Sequence, residues 1–166
     1  MSHGSDDRFY GSDKVPITWS TILGLFNKKL GPRFTGKPKL FFFQACRSVA
    51  QTEQDGGGEH DGSAAERQSS LQRSYLTSDV LDTLVVHSCF RGHESFRNSQ
   101  DGTFFIQSLV KVLKENVKDE DMLSMVTMVV NELTNQLGEK QVPQMESTLR
   151  KKLFFKPMRN GVSTSL

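Results

Sequence analysis

The sequence predicts an α/β protein, and three observations carry that prediction. The run KLFFFQAC, residues 39–46, has no polar alternation, which suits a strand covered on both faces in a parallel sheet packed between helices. LDTLVVHSCF, residues 81–90, supplies a second apolar strand, and two stretches of helical period follow it before a last strand-like run. The resulting order is helix, strand, linker, strand, helix, helix, strand, an order that belongs to the α/β class.

The chain is polar and turn-rich through Asp13, after which Trp19, Ile22, Leu23, Phe26 and Leu30 fall at helical spacing. They predict an amphipathic helix over 18–30, capped by Thr18 or Ser20. GPRFTGKPK then breaks the chain with Gly31, Pro32, Gly36 and Pro38 before the first strand, Lys39 to Cys46. Residues 51–77 are Gly, Ser, Gln, Glu and Asp with almost nothing to bury, and read as an exposed linker between two halves. After the second strand comes a loop with Gly92 and ESFRNSQDG, and then two helices. Phe105, Ile106, Leu109, Leu113 and Val117 share a face of the first; Met122, Val126, Val129 and Leu133 share one of the second. STLRKKLFF, residues 147–155, reads as the last strand, with a tail beyond Lys156.

Composition narrows the function classes. The 166 residues make one domain's length, with 24% charged, 36% apolar and a net charge of +2, lacking the Lys and Arg excess of a nucleic-acid binder. No apolar run approaches a membrane span, and MSHGSDDRFYG has neither the basic start nor the apolar stretch of a secretion signal, so a cytoplasmic protein is expected. Cys46 and Cys89 are then expected to be free thiols. No cofactor is called for: His87 and Cys89 lie two apart, but two ligands make no metal site. Arg150, Lys151 and Lys152 read as a solubilising cluster rather than a nucleic-acid patch.

In open α/β sheets functional side chains gather at the carboxyl ends of strands, and Cys46 occupies such an end. Position alone leaves open whether it is a nucleophile or a small buried hydrophobe. The motifs decide. KPKLFFFQACR resembles the nucleophile segment of the caspases, the cysteine peptidases that cut after aspartate, and His3 stands 43 positions before Cys46 in SHG, the triplet that carries the family's histidine. TGKPKLFFFQAC, FRNSQDGTFFIQSL and KQVPQMESTLRKKLFFKPM extend the resemblance, the last being most similar to initiator-type members.

The resemblance implies a caspase-like three-layer sandwich with a partial sheet of about three strands and helices on both faces. It divides the chain into the C-terminal part of a large subunit (1–50), an inter-subunit linker (51–77), a small subunit (78–158) and a tail (159–166). It implies His3 and Cys46 as the catalytic dyad, with the backbone N–H groups of Gly4 and Cys46 facing the oxyanion. Gln44 and Arg97 match the pocket for the substrate aspartate, Ser95 and Phe96 the strip along which the substrate lies. Read without the resemblance, Arg97 is a loop charge and Gln44 a polar strand end. Asp55 and Asp61, each followed by Gly, match maturation sites or are ordinary turns. The implied partners are protein substrates with aspartate before the scissile bond, and a second caspase chain, as homodimer or heterodimer, through the small subunit; nucleic acid and membrane are not implied.

Three departures stand out. Ser48 occupies a position where the family carries glycine, so a strained backbone is expected there, and Glu94 replaces a common aromatic. The chain also begins at the histidine that follows the family's third strand, leaving KLFFF as an expected open edge. A catalytically inactive, dimerising regulator or decoy of full-length caspases is therefore the alternative function.

Overall fold

The computed structural model describes residues 3–5, 8–26, 32–48 and 80–155. The linker 51–77, Asp55, Asp61, the tail 159–166 and the side chain of His3 lie outside the described residues.

The turn-rich start is a small antiparallel sheet of β1 (His3–Ser5), β2 (Arg8–Tyr10) and β3 (Pro16–Thr18), with Gly4 opposite Phe9 and Phe9 opposite Ile17. Strands of three residues are too short to show a period, so the sequence displays only their turns. The β2–β3 turn is closed by the Lys14 N–H to the Gly11 carbonyl at 3.0 Å, and by Asp13 Oδ1, which accepts the Val15 N–H at 3.0 Å. Helix α1 (Trp19–Gly24) follows directly. Thr18 is its cap, Oγ1 accepting the Thr21 N–H at 3.1 Å. The helix is shorter than the predicted 18–30: Leu25 and Phe26 already form a turn.

The main sheet has the order β4–β5–β8. Strands β4 (Lys39–Phe43) and β5 (Thr83–His87) run parallel, Lys39 opposite Thr83 and Phe43 opposite His87, as their apolar runs predict. Along both strands alternate residues face opposite sides. On one side Leu84 and Val86, with Leu40 and Phe42, pack on Phe105, Leu109, Met125, Val126 and Leu133 of the long helices. On the other Phe43 and Val85, with Phe41, pack on Trp19, Ile22 and Leu23 of α1 and on Phe9 of β2. Helices therefore cover both faces, giving the three layers expected. Every residue of β5 is buried, whereas β4 is half-buried through Phe42 and pairs only with β5 among the described residues.

Between the sheet strands lie the hairpin β6 (Arg97–Asn98) and β7 (Gly102–Thr103), then α2 (Phe104–Asn116) and α3 (Met122–Leu137). In α2 the buried face is Phe105, Ser108, Leu109 and Val112, rotated from the predicted one so that Ile106 points outward. In α3 the predicted face is buried as read, with Met125 added. Asp121 caps α3, accepting the Leu123 and Ser124 N–H groups at 3.1 and 3.4 Å.

Strand β8 (Gln144–Ser147) pairs antiparallel with β5, Leu84 opposite Ser147. This corrects the predicted strand at 147–155. Past Ser147 only Thr83 of β5 remains, taking the Thr148 N–H at 2.8 Å, and the chain turns at Asp82, whose φ is 54° and whose carboxylate binds Arg150 at 2.6 Å. Residues beyond run under α3, where the Leu153 carbonyl accepts the Met122 N–H at 2.8 Å and Leu149 and Leu153 pack on the core. QMES hides its strand because β8 is a largely exposed edge whose residues need not be apolar. Among the described residues no helix is long and apolar enough to cross a membrane.

Candidate active site

Strand β4 ends at Phe43, and residues 44–47 run on past the carboxyl edge of the sheet. The segment is held on several sides. The Ser88 N–H, one residue past β5, reaches the Phe43 carbonyl at 2.9 Å; the Ser88 hydroxyl and the Cys89 thiol donate to the Ala45 carbonyl at 3.2 and 3.5 Å. The Arg47 N–H donates to the His93 carbonyl at 2.9 Å, and the Gly92 N–H to the Arg47 carbonyl at 2.8 Å. Arg47 itself is buried, with Nη1 donating to Gln144 Oε1 at 2.6 Å. This dense pairing fixes the half-buried Cys46 between two anchored neighbours.

Ser95 faces it. The Ser95 N–H donates to Cys46 Sγ at 3.4 Å, and the thiol lies 3.8 Å from the Ser95 carbonyl oxygen. Gln44 Nε2 donates to Ser95 Oγ at 2.6 Å, while Gln44 Oε1 is buried without a hydrogen-bond partner among the described residues. Four residues named from sequence, Gln44, Cys46, Ser95 and Phe96, thus meet in one place, with Phe96 38% exposed beside Ser95. Arg97 follows at the start of β6, exposed and opposite Thr103.

Strand β1 closes the site from the other side. A Cβ at Gly4 would run into the Cys46 carbonyl oxygen and the Ala45 methyl group, so only glycine permits this approach. The backbone that carries His3 therefore passes directly beside Cys46. The expected strain at Ser48 is absent: among the described residues only Lys14 and Asp82 are non-glycine residues with positive φ.

Two buried titratable groups back the site. His87, 4% exposed, stacks on Phe43 and meets Trp19 edge-on at 4.7 Å, its Nδ1 without a partner among the described residues. Burial, and then the Arg47 charge, lower its pKa to about 4. Burial likewise pushes the Cys89 thiol up. No group of three or more potential metal ligands occurs among the described residues.

Sequence reasoning missed Gln141. Fully buried, it lies in the connection from α3 to β8 and binds Ser95, Phe96 and Ser88. In GEKQVPQ it reads as a loop glutamine, and nothing in its neighbours signals burial except the apolar Val142 and Pro143 after it.

A half-exposed cysteine beyond the end of a parallel strand, faced by a backbone N–H and closed in by a glycine strand, defines an α/β protein with a thiol-centred site. The family model for the caspase domain matches residues 1–154. Caspase-8 of Mus musculus is 33% identical over 165 residues, covering 95% of this chain and 34% of the relative. Caspase-3 of Felis catus is 33% identical, covering 93% of this chain and 57% of the relative, and Caspase-9 of Homo sapiens 32% identical, covering 89% and 39%. The chain belongs to the caspase family. It spans between about a third and somewhat over half the length of these curated relatives.

Proposed function

We propose that the chain carries the thiol site of a cysteine endopeptidase cleaving after aspartate, in apoptotic or related signalling proteolysis. The observation that carries this reading is the convergence of Gln44, Cys46, Ser95 and the Gly4 strand on one point, in a chain of the caspase family.

In this reading the Cys46 thiolate adds to the scissile carbonyl, and the C–N bond breaks as His3 hands a proton to the leaving amine. Water, deprotonated by the same imidazole, then hydrolyses the thioester. The Gly4 and Cys46 N–H groups take up the charge on oxygen, a contribution of about 3 kcal/mol per donor in comparable sites. The Ser95–Arg97 strip receives the substrate as an added strand, and Arg97 pairs with its carboxylate. Gln44 supports the pocket in a particular way. Ser95 Oγ accepts N–H groups from both Gln44 and Gln141. A half-turn of the Gln44 amide lets the Ser95 hydroxyl donate to Oε1 and frees two N–H donors for an incoming carboxylate.

Turnover of an aspartyl tetrapeptide reporter, abolished in Cys46→Ala, tests the assignment. No turnover by the wild-type chain, or equal turnover by the variant, rejects it for this chain. A second reading, a regulator that pairs with a full-length relative, is favoured by the outer edge of β8, which is unpaired among the described residues and presents the exposed Met145.

A further inference from the structure

Gln141 makes three hydrogen bonds from a fully buried position. Its Oε1 accepts the Phe96 N–H at 2.7 Å; its Nε2 donates to the Ser88 carbonyl at 2.8 Å and to Ser95 Oγ at 3.2 Å. Both amide hydrogens and one oxygen lone pair are thereby used. The side chain is delivered from a distance: Gly138, with φ of 63°, ends α3, and one turn of 3-10 helix (Gly138–Lys140) presents Gln141 in extended conformation.

The two ends of this clamp differ in kind. Ser88 directly follows β5, the fully buried central strand, while Ser95 and Phe96 form the strip against Cys46. The two successive N–H groups of the strip have different partners: Ser95 donates to Cys46 Sγ and Phe96 to Gln141 Oε1. Holding the Phe96 N–H therefore steadies the Ser95 N–H on the sulfur, and holding Ser95 Oγ keeps it within reach of Gln44.

We propose that Gln141 is a positioning residue for Cys46: its carboxamide fixes the Ser95–Phe96 strip to the central strand so that the Ser95 N–H stays on the thiol. An N–H donated to sulfur strengthens when the sulfur carries charge, so the clamp favours the reactive form. The inference rests on the proposed function only in taking Cys46 as the reacting group; it does not require a peptide substrate.

Alkylation of the full chain by iodoacetamide, with Cys46 and Cys89 resolved by peptide mass mapping, tests it. In Gln141→Ala the Cys46 rate falls about fivefold at pH 7 and is unchanged at pH 10, where accessible thiols are ionised in either protein. Hydrogen exchange at the Phe96 amide speeds up in the same variant. Gln141→Glu keeps the shape and the acceptor but loses the donors, so it shows the loss at pH 7. At pH 5.5, where the carboxyl regains a proton, it recovers toward the wild-type rate measured at that pH. Asn135→Ala, at an exposed position of α3, leaves both rates alone. A Gln141→Ala chain that simply unfolds betrays itself by fast labelling of Cys89, and Gln141→Glu then decides. Wild-type Cys46 rates in Gln141→Glu at both pH values, unaltered Phe96 exchange, or losses equal at pH 7 and pH 10 overturn the proposal. An aspartyl probe that ignores wild-type Cys46 removes the peptidase reading while leaving this pH 7 shift in place, so the two fail separately.

Discussion

At the scale of single residues, His87 makes the sharpest pH prediction. Its imidazole is held neutral among Trp19 and Phe43, with a folded pKa of about 4 against an ordinary 6.5. Because the folded value is depressed, the unfolded chain binds the proton first. The stability this residue contributes is complete above pH 6.5 and is lost as pH falls toward 4, by at most about 3 kcal/mol. Urea midpoints of wild type and His87→Phe across that window check this: the wild type drops more steeply, and parallel curves refute the assignment. Gly4 yields a second prediction. In Gly4→Ala the new methyl must push β1 off Ala45 and Cys46, so aspartyl-reporter turnover falls at least about tenfold. Full activity in that variant would remove the close approach from the account. Both residues show what sequence can and cannot reveal. The resemblance singled out Gly4 beside Cys46, but nothing in LVVHS distinguishes an imidazole buried among aromatic rings from one at a surface.

At the scale of elements, the long helices were legible because their apolar period is long enough to average over many turns. The short α1 was legible at its start and its Thr18 cap but was read too long, to residue 30 rather than Gly24. In α2 the face was read one position off because Ser108, a polar residue, is buried and Ile106 is not. In α3 the caps and core predict an order of effects. Asp121→Ala removes the acceptor of two backbone N–H groups and costs about 1 kcal/mol, whereas Leu133→Ala, at a site with no exposed surface, costs about 2 to 5 kcal/mol. Chemical denaturation of both variants checks the ranking, and a reversed order would mean that α3 is held mainly by its end. Strand β8 was misplaced for a physical reason: an exposed edge pairs through its backbone and leaves its side chains polar, while the apolar Leu149 and Leu153 that looked like a strand are pins for α3.

At the scale of the whole molecule, the three-layer arrangement followed from two apolar strands and their flanking helices. The structure brings together Gln44, Cys46, Ser95, Phe96 and the backbone of Gly4, residues that the motif resemblance had singled out. Gln141 was not among them, because its role arises from a contact made 45 residues away. The outer edge of β8 is unpaired among the described residues. The Thr148 N–H points inward to Thr83, so by alternation those of Met145 and Ser147 face outward. If copies pair through this edge, Met145→Pro yields a folded monomer by sedimentation where the wild type is dimeric; a variant that still dimerises places the contact elsewhere.

The account stands most directly on the chemistry of Cys46. Its rate of labelling by an aspartyl peptide chloromethyl ketone, compared with the asparaginyl analogue, is predicted to be higher by about a hundredfold, since in the proposed reading a charged carboxylate suits the Arg97 and Gln44 donors better than a neutral amide. Equal rates with the two reagents, or labelling that spares Cys46, would contradict it.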